Sequence, residues 1–201
     1  MTGREPVRLE DKVERGAGLD AVVFAEDAAL EVLIQRGHVP RESKRSVAST
    51  TLVLVGPEGT NATFPTLGSL PDGAKVAVGD PVTVPAGRYA RQYLQQLGVW
   101  DAIQPRLVYG GDVAGVLAHA QRGSAHVAIV YRTDAARGAP LVILDEPGDA
   151  PVVRIVAGVA ARSRSAARAR AFLEFLASAE GRAIFARHGF ALAPDAWSVT
   201  R

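Results

Sequence analysis

No cysteine occurs among the 201 residues, which excludes thiol nucleophiles, iron–sulfur clusters, thiolate zinc sites and disulfide staples. That absence leaves the redox compartment open, because oxidising and reducing locations both tolerate such a chain. Charge of one sign is also lacking. Lys and Arg number 23 against 21 Asp and Glu, and a net +2 is no clustered basic face of the kind that takes nucleic acid. No apolar run approaches the ~18–20 residues that cross a bilayer. The first 19 residues carry charge from Arg4 and Glu5 to Glu14 and Arg15 and hold no apolar secretory segment, so a chain that starts at Met1 is expected to stay in the cytoplasm. Histidine is scarce: His38, His119, His126 and His188 are scattered and form no HxxxH or HExxH pair. No G-x-S-x-G elbow is present, and the Gly-rich stretches lack the Lys-Ser/Thr ending of a phosphate loop. Asp145, Glu146 and Asp149 flank Pro147-Gly148, where an exposed turn explains them better than acid/base chemistry. The sequence offers no catalytic constellation, no metal site and no cofactor site.

What remains is an ordinary globular composition, 48% apolar and 22% charged, on a chain long enough to bury roughly 70% of its unfolded surface. From residue 20 onward, short β-rich runs alternate with helical patterns. Strands are predicted over 21–25, 49–55, 74–78, 106–109, 125–131, 141–144 and 152–160. Helices are predicted over 27–36, 85–97 and 113–122, with a helix pair over 165–188. Asp112 is the N-cap candidate of the third helix, and Gly37, Gly98 and Gly189 stand as helix stops. Such alternation argues an α/β fold with parallel sheets covered on both faces. The arginines Arg162, Arg164, Arg168 and Arg170 fit a solvated helix face better than an anion site.

Two helix starts stand out. Pro85-Ala86-Gly87 and Gly110-Gly111-Asp112-Val113 each open a helix after a loop, with small residues that expose backbone N–H groups. Free N–H groups and the positive end of the helix dipole favour anions there.

The segment VGDPVTVPAGRYARQYLQQLGVWDAIQPRLV resembles the signature stretch of bacterial molybdate-binding proteins, the solute receptors of molybdate ABC transporters. The family's Gly-Asp-Pro, Val-Pro-Ala-Gly and Tyr-Ala stand here as Gly79-Asp80-Pro81, Val84-Pro85-Ala86-Gly87 and Tyr89-Ala90, followed by Leu97-Gly98-Val99-Trp100-Asp101. Residues 129–135 are similar to the family's Ile-Val-Tyr-x-x-Asp-Ala, and the resemblance runs from about Leu9 to Phe190, with Phe24 and Glu26 departing from the usual Ser and Asp. It implies a class II periplasmic-binding-protein fold: two α/β lobes, joined by two crossovers, with molybdate or tungstate held between them. Residues 1–55 would form the first part of lobe 1, 56–149 lobe 2, and 150–201 the return to lobe 1 with a C-terminal helix pair. The hinges would fall near 55–56 and 147–152. Carried over by position, Ala86 and Val113 would supply backbone N–H donors and Tyr131 a phenolic hydroxyl. The implied partner is the membrane permease, the implied location the periplasm, and no cofactor is required beyond the oxyanion ligand.

The family's opening strand–helix–strand unit, with its two ligand serines, has no counterpart; Glu5-Pro6-Val7 falls where a ligand serine would stand. Two lost donors to a charged ligand are worth about 3–6 kcal/mol, on the order of a hundredfold to ten-thousandfold in affinity. The chain as written is therefore expected to bind molybdate weakly or not at all, and its exposed sheet edge to invite a homodimer. The alternative is a ligand-sensing or scaffold module of the same fold that has lost transport. Enzymes on this fold fit poorly: the Thr-Arg-Phe motif of prephenate dehydratases is absent, Tyr131-Arg132-Thr133 does not replace it, and porphobilinogen-polymerising relatives need a cysteine that this chain lacks.

Overall fold

Alternating apolar and helical stretches build two separate sheets, each with its own helices. The computed structural model describes residue 13, residues 18–136 and residues 138–191. In chain order the elements are β1 (Ala21–Phe24), α1 (Asp27–Gln35), β2 (Arg45–Thr50), β3 (Leu52–Gly56), β4 (Val76–Gly79), α2 (Pro85–Gln96), α3 (Trp100–Ile103), β5 (Leu107–Gly110), α4 (Val113–Gln121), β6 (Val127–Tyr131), α5 (Arg132–Ala135), β7 (Val142–Asp145), β8 (Val153–Val159), α6 (Ala166–Ala177) and α7 (Ala179–Arg187). They divide into one unit of Met1–Ser49 with Val153–Arg201, and a second of Thr50–Val152. Glu5-Pro6-Val7 lies outside the described residues. Among the described residues no helix is long and apolar enough to cross a membrane.

The first unit has a three-stranded sheet in the order β1-β8-β2, with β1 and β8 antiparallel. Side chains alternate along β8, as a strand requires. Ile155, Ala157 and Val159 pack with Ala169 and Leu173 of α6, whereas Val156 packs with Leu30 and Leu33 of α1.

In the second unit a five-stranded sheet runs β5-β4-β6-β3-β7. Its two faces follow the same period of two. Leu52, Leu54, Val76, Val78, Val127 and Ile129 join Ala90, Tyr93 and Leu94 of α2 in one apolar cluster. Val53, Val55, Ala77, Ala128 and Val130 join Val116, Leu117 and Ala120 of α4 in another. Helices α2 and α4 thus cover opposite faces. Proline at the first position opens α2, and Gly98, at φ 71°, lies just past its end, where a side chain would be strained.

Three expectations need correction. The sheets are not parallel throughout: β1 and β8 are antiparallel, and in the five-stranded sheet β4 pairs in parallel with β5 and β6, but β3 is antiparallel to both β6 and β7. Only the strands joined through α2 and α4 have the long crossover that parallel pairing demands; β7 follows β6 after little more than the one-turn α5. The run 49–55, read as one strand, is two strands in different sheets. Ser49 bridges Ala191 in the first unit, while Leu52 pairs with Tyr131 in the second. The boundary placed at 55–56 therefore falls between Ser49 and Thr50, because β3 takes its pairing partners from the second unit, and the return falls at Val153 rather than 150.

Candidate functional site

Strands β4, β5 and β6 are parallel, so Gly79, Gly110 and Tyr131 end at one edge of the sheet. From adjacent strands β4 and β5 the following helices leave toward opposite faces. In open α/β sheets this arrangement makes a crevice outside the strand C-termini, the usual place for ligands. Ala86, Val113 and Tyr131 all belong to this edge, across three strands that span about 10 Å.

Glycines let both helices start hard against the strand ends. A Cβ on Gly87 would come 2.1 Å from the Gly79 carbonyl oxygen, and one on Gly110 would come 2.6 Å from the Val116 nitrogen. No side chain fits at either position. Gly111, by contrast, faces open space. The small residues of Pro85-Ala86-Gly87 and Gly110-Gly111 were the sequence signal for open helix starts, not for this close approach.

Hydrogen-bond accounting then shows which N–H groups are left over. Ahead of α2, the Asp80 carbonyl accepts from the N–H groups of Thr83 and Val84, and the Asp80 carboxylate accepts from Val82 N–H at 2.8 Å. Gly87 and Arg88 both donate to the Val84 carbonyl, and Pro85 has no N–H. Ala86 N–H is left without an acceptor among the described residues. At α4 the Asp112 side chain caps Gly115 N–H at 2.7 Å, and its carbonyl accepts from Val116. Val113 and Ala114 keep unspent N–H groups.

Tyr131 is half-buried at the end of β6. Its ring packs on the α2-side cluster and its hydroxyl oxygen is shielded from solvent. The chain turns directly after it, where Arg132 N–H donates to the Thr51 carbonyl at 2.9 Å. The arrangement offers backbone donors and one hydroxyl.

Other polar residues serve structure. Asp145 accepts Phe64 N–H at 2.8 Å, Glu146 pairs with Arg132 at 2.6 Å, and Asp149 accepts the Tyr93 hydroxyl at 2.7 Å. The sequence reading left these three acids in an exposed turn; partners 14 to 81 residues away give no local signal. His126 Nδ1 accepts Lys75 N–H, and His119 Nδ1 shares a hydrogen bond with Ser124. Arg162, Arg164, Arg168 and Arg170 are exposed. Among the described residues no group of three or more His, Asp or Glu is placed to hold a metal ion.

The chain is similar to several known proteins. The family of bacterial extracellular solute-binding proteins matches residues 1–191. The molybdate-binding protein ModA of Escherichia coli is 32% identical over 193 residues, covering 92% of this chain and 74% of that protein. ModA of Haemophilus influenzae is 33% identical over 190 residues, covering 90% and 74%. A solved substrate binding domain from Clostridium difficile superposes with a TM-score of 0.80 at 28% identity, over 92% of this chain and 82% of that one. The fold is that of class II periplasmic binding proteins, two α/β units joined by two crossovers.

Proposed function

For a chain that belongs to the bacterial extracellular solute-binding protein family, we propose the binding of a tetrahedral oxyanion, molybdate or tungstate, for delivery to the membrane permease of an ABC transporter. Members of this family bind solutes and are not enzymes. The relatives named for molybdate binding support the ligand, and the family's description as extracellular supports an extracytoplasmic location. In this reading Ala86 and Val113 donate their N–H groups, Tyr131 donates its hydroxyl, and no cofactor takes part.

The observation that carries the reading is the set of unspent N–H groups at Ala86, Val113 and Ala114, at the edge where Tyr131 ends β6. A dehydrated dianion is costly unless its oxygens are saturated with donors. Two helix N-termini and a hydroxyl supply donors and positive dipole without a fixed cation. The carboxylates nearby, Asp80 and Asp112, each already accept a backbone N–H. A set of donors with its acceptors engaged favours a fully deprotonated oxyanion over hydrogen phosphate, whose proton needs an acceptor of its own.

Titration calorimetry with molybdate, tungstate, sulfate and phosphate tests this. With Ala86, Val113 and Tyr131 as the donors, molybdate and tungstate should bind weakly, saturating at one ligand per chain only at millimolar concentration, while phosphate should not bind. Tyr131→Phe removes one donor to a charged ligand and should weaken binding by about 1.5–3 kcal/mol, roughly ten- to hundredfold. A wild-type chain silent toward both metal oxyanions overturns the ligand assignment, and unchanged affinity in the variant removes Tyr131 from the site.

A further inference from the structure

The second crossover, from β7 to β8, is fastened to the second unit at four successive places. Asp145 accepts Phe64 N–H, Glu146 pairs with Arg132, Asp149 accepts the Tyr93 hydroxyl, and Ala150 is buried in the α2-side cluster. A hydrogen bond from Ala150 N–H to the Pro147 carbonyl closes the turn between them. Beyond Ala150 the fastening stops: Val152 is 48% exposed, and Val153 is fully buried as the first residue of β8. The first crossover is shorter still. Thr50 ends β2, Leu52 begins β3, and only Thr51 lies between, its carbonyl held by Arg132 N–H.

Two of these fasteners reach the elements that end at the candidate site. Tyr93 lies seven residues after Ala86 on the same buried face of α2, and its ring meets Phe64 edge-on at 5.2 Å. Burial, and then the Asp149 carboxylate, push the Tyr93 hydroxyl well above its ordinary pKa, so it stays a donor at any working pH. Arg132 follows Tyr131 directly. Its backbone holds the first crossover and its guanidinium holds the second.

We propose that Tyr93–Asp149 and Arg132–Glu146 are pins that lock the second crossover onto α2 and the end of β6, so that the chain bends only at Thr50–Thr51 and Pro151–Val152. Hinges are a few terminal residues that absorb backbone rotation while the segments beside them stay rigid. Here the rigid side ends on the donors Ala86 and Tyr131. Loss of a pin lengthens the flexible link and loosens the elements that orient those donors. The use of the pins in ligand binding rests on the solute-binding reading; their geometry does not.

Hydrogen exchange of the full ligand-free chain tests the pins without a ligand. The amide of Ala150, bonded to the Pro147 carbonyl, should be protected, and those of Thr51 and Val152 should exchange fast. In Asp149→Ala, and more so in Asp149→Ala with Glu146→Ala, the Ala150 amide should exchange at least tenfold faster while β4 and β6 stay unchanged. Asp149 and Glu146 are exposed, so neither change removes core volume. The same variants should lose several-fold in molybdate affinity, with Tyr93→Phe following them. Fast exchange at Ala150 in the wild type, or no change in the double variant, overturns the proposal. Protected pins in a chain that binds no molybdate would uphold the hinge and overturn the ligand reading instead.

Discussion

The two units fasten their helices to their sheets by different chemistry. In the unit of Thr50–Val152, helices α2 and α4 sit against strand ends through glycines whose missing side chains permit carbonyl and amide to approach. In the other unit α1 is tied down by charge. Glu31 pairs with Arg41 at 2.9 Å and Lys44 at 2.8 Å, while Asp27 pairs with Lys44 and Arg154. The difference separates two tasks. An edge that receives a dianion on backbone dipoles works when its N–H groups are left unspent and no resident cation or anion competes for them. The ion pairs around α1, on partly exposed side chains, hold a helix in place and leave no such vacancy.

Exchanging the two chemistries should break this contrast most at the glycines. Gly87→Ala forces a methyl group into the Gly79 carbonyl, so α2 must shift. Overpacking of this kind costs about 1–3 kcal/mol, to be read from urea unfolding, and molybdate binding should fall with it. Gly111→Ala, in open space, should change neither; equal effects of the two would refute the close-approach argument.

A smaller effect follows from the α4 cap. Asp112→Ala removes the acceptor for Gly115 N–H and should destabilise by about 1 kcal/mol, visible as a lower urea midpoint at unchanged slope. It also removes a carboxylate beside the proposed anion site. Oxyanion affinity should therefore rise while stability falls, a split that a purely structural cap would not give.

The smallest effect belongs to the charged unit. Hydrogen bonds from Lys44, then from Arg41, hold the Glu31 carboxyl below its ordinary pKa. A carboxyl with a depressed folded-state pKa adds stability that is present above the usual glutamate range. That stability is lost as pH falls through the depressed value. For ion pairs this exposed the contribution is about 0.2–1 kcal/mol and is screened by salt. Glu31→Gln should flatten the acid limb of a stability–pH curve slightly, and 1 M salt should abolish the difference from wild type. A large, salt-independent loss would show that charge is not what holds α1.

Much of the fold was legible because its causes are local. Pro85 at a helix start, Asp112 as a cap, Gly98 past a helix end and the short continuous apolar runs of β4, β6 and β8 each report on neighbours within a turn or two. The candidate donors were legible in part for the same reason, since a proline and small residues after a strand predict an open helix N-terminus. The family motif supplied what spacing did not, the choice of Tyr131 among four tyrosines. The division of 49–55 between two sheets was not legible, because a run of β-formers carries no mark of which strand it will pair with. Nor was the role of Asp149, whose partner Tyr93 lies 56 residues away.

The sequence by itself determined the α/β class, most of the element positions, and the two glycine-marked helix starts that leave N–H groups unspent. Only the tertiary structure decided that β3 leaves one sheet for the other at Thr51, that α2 and α4 cover opposite faces, and that the acids of the second crossover are fasteners. The physical reason is range. Caps, helix stops and side-chain alternation are fixed by interactions within a few residues, whereas strand pairing, close helix approach and the partner of a buried hydroxyl depend on segments brought together only when the chain has folded.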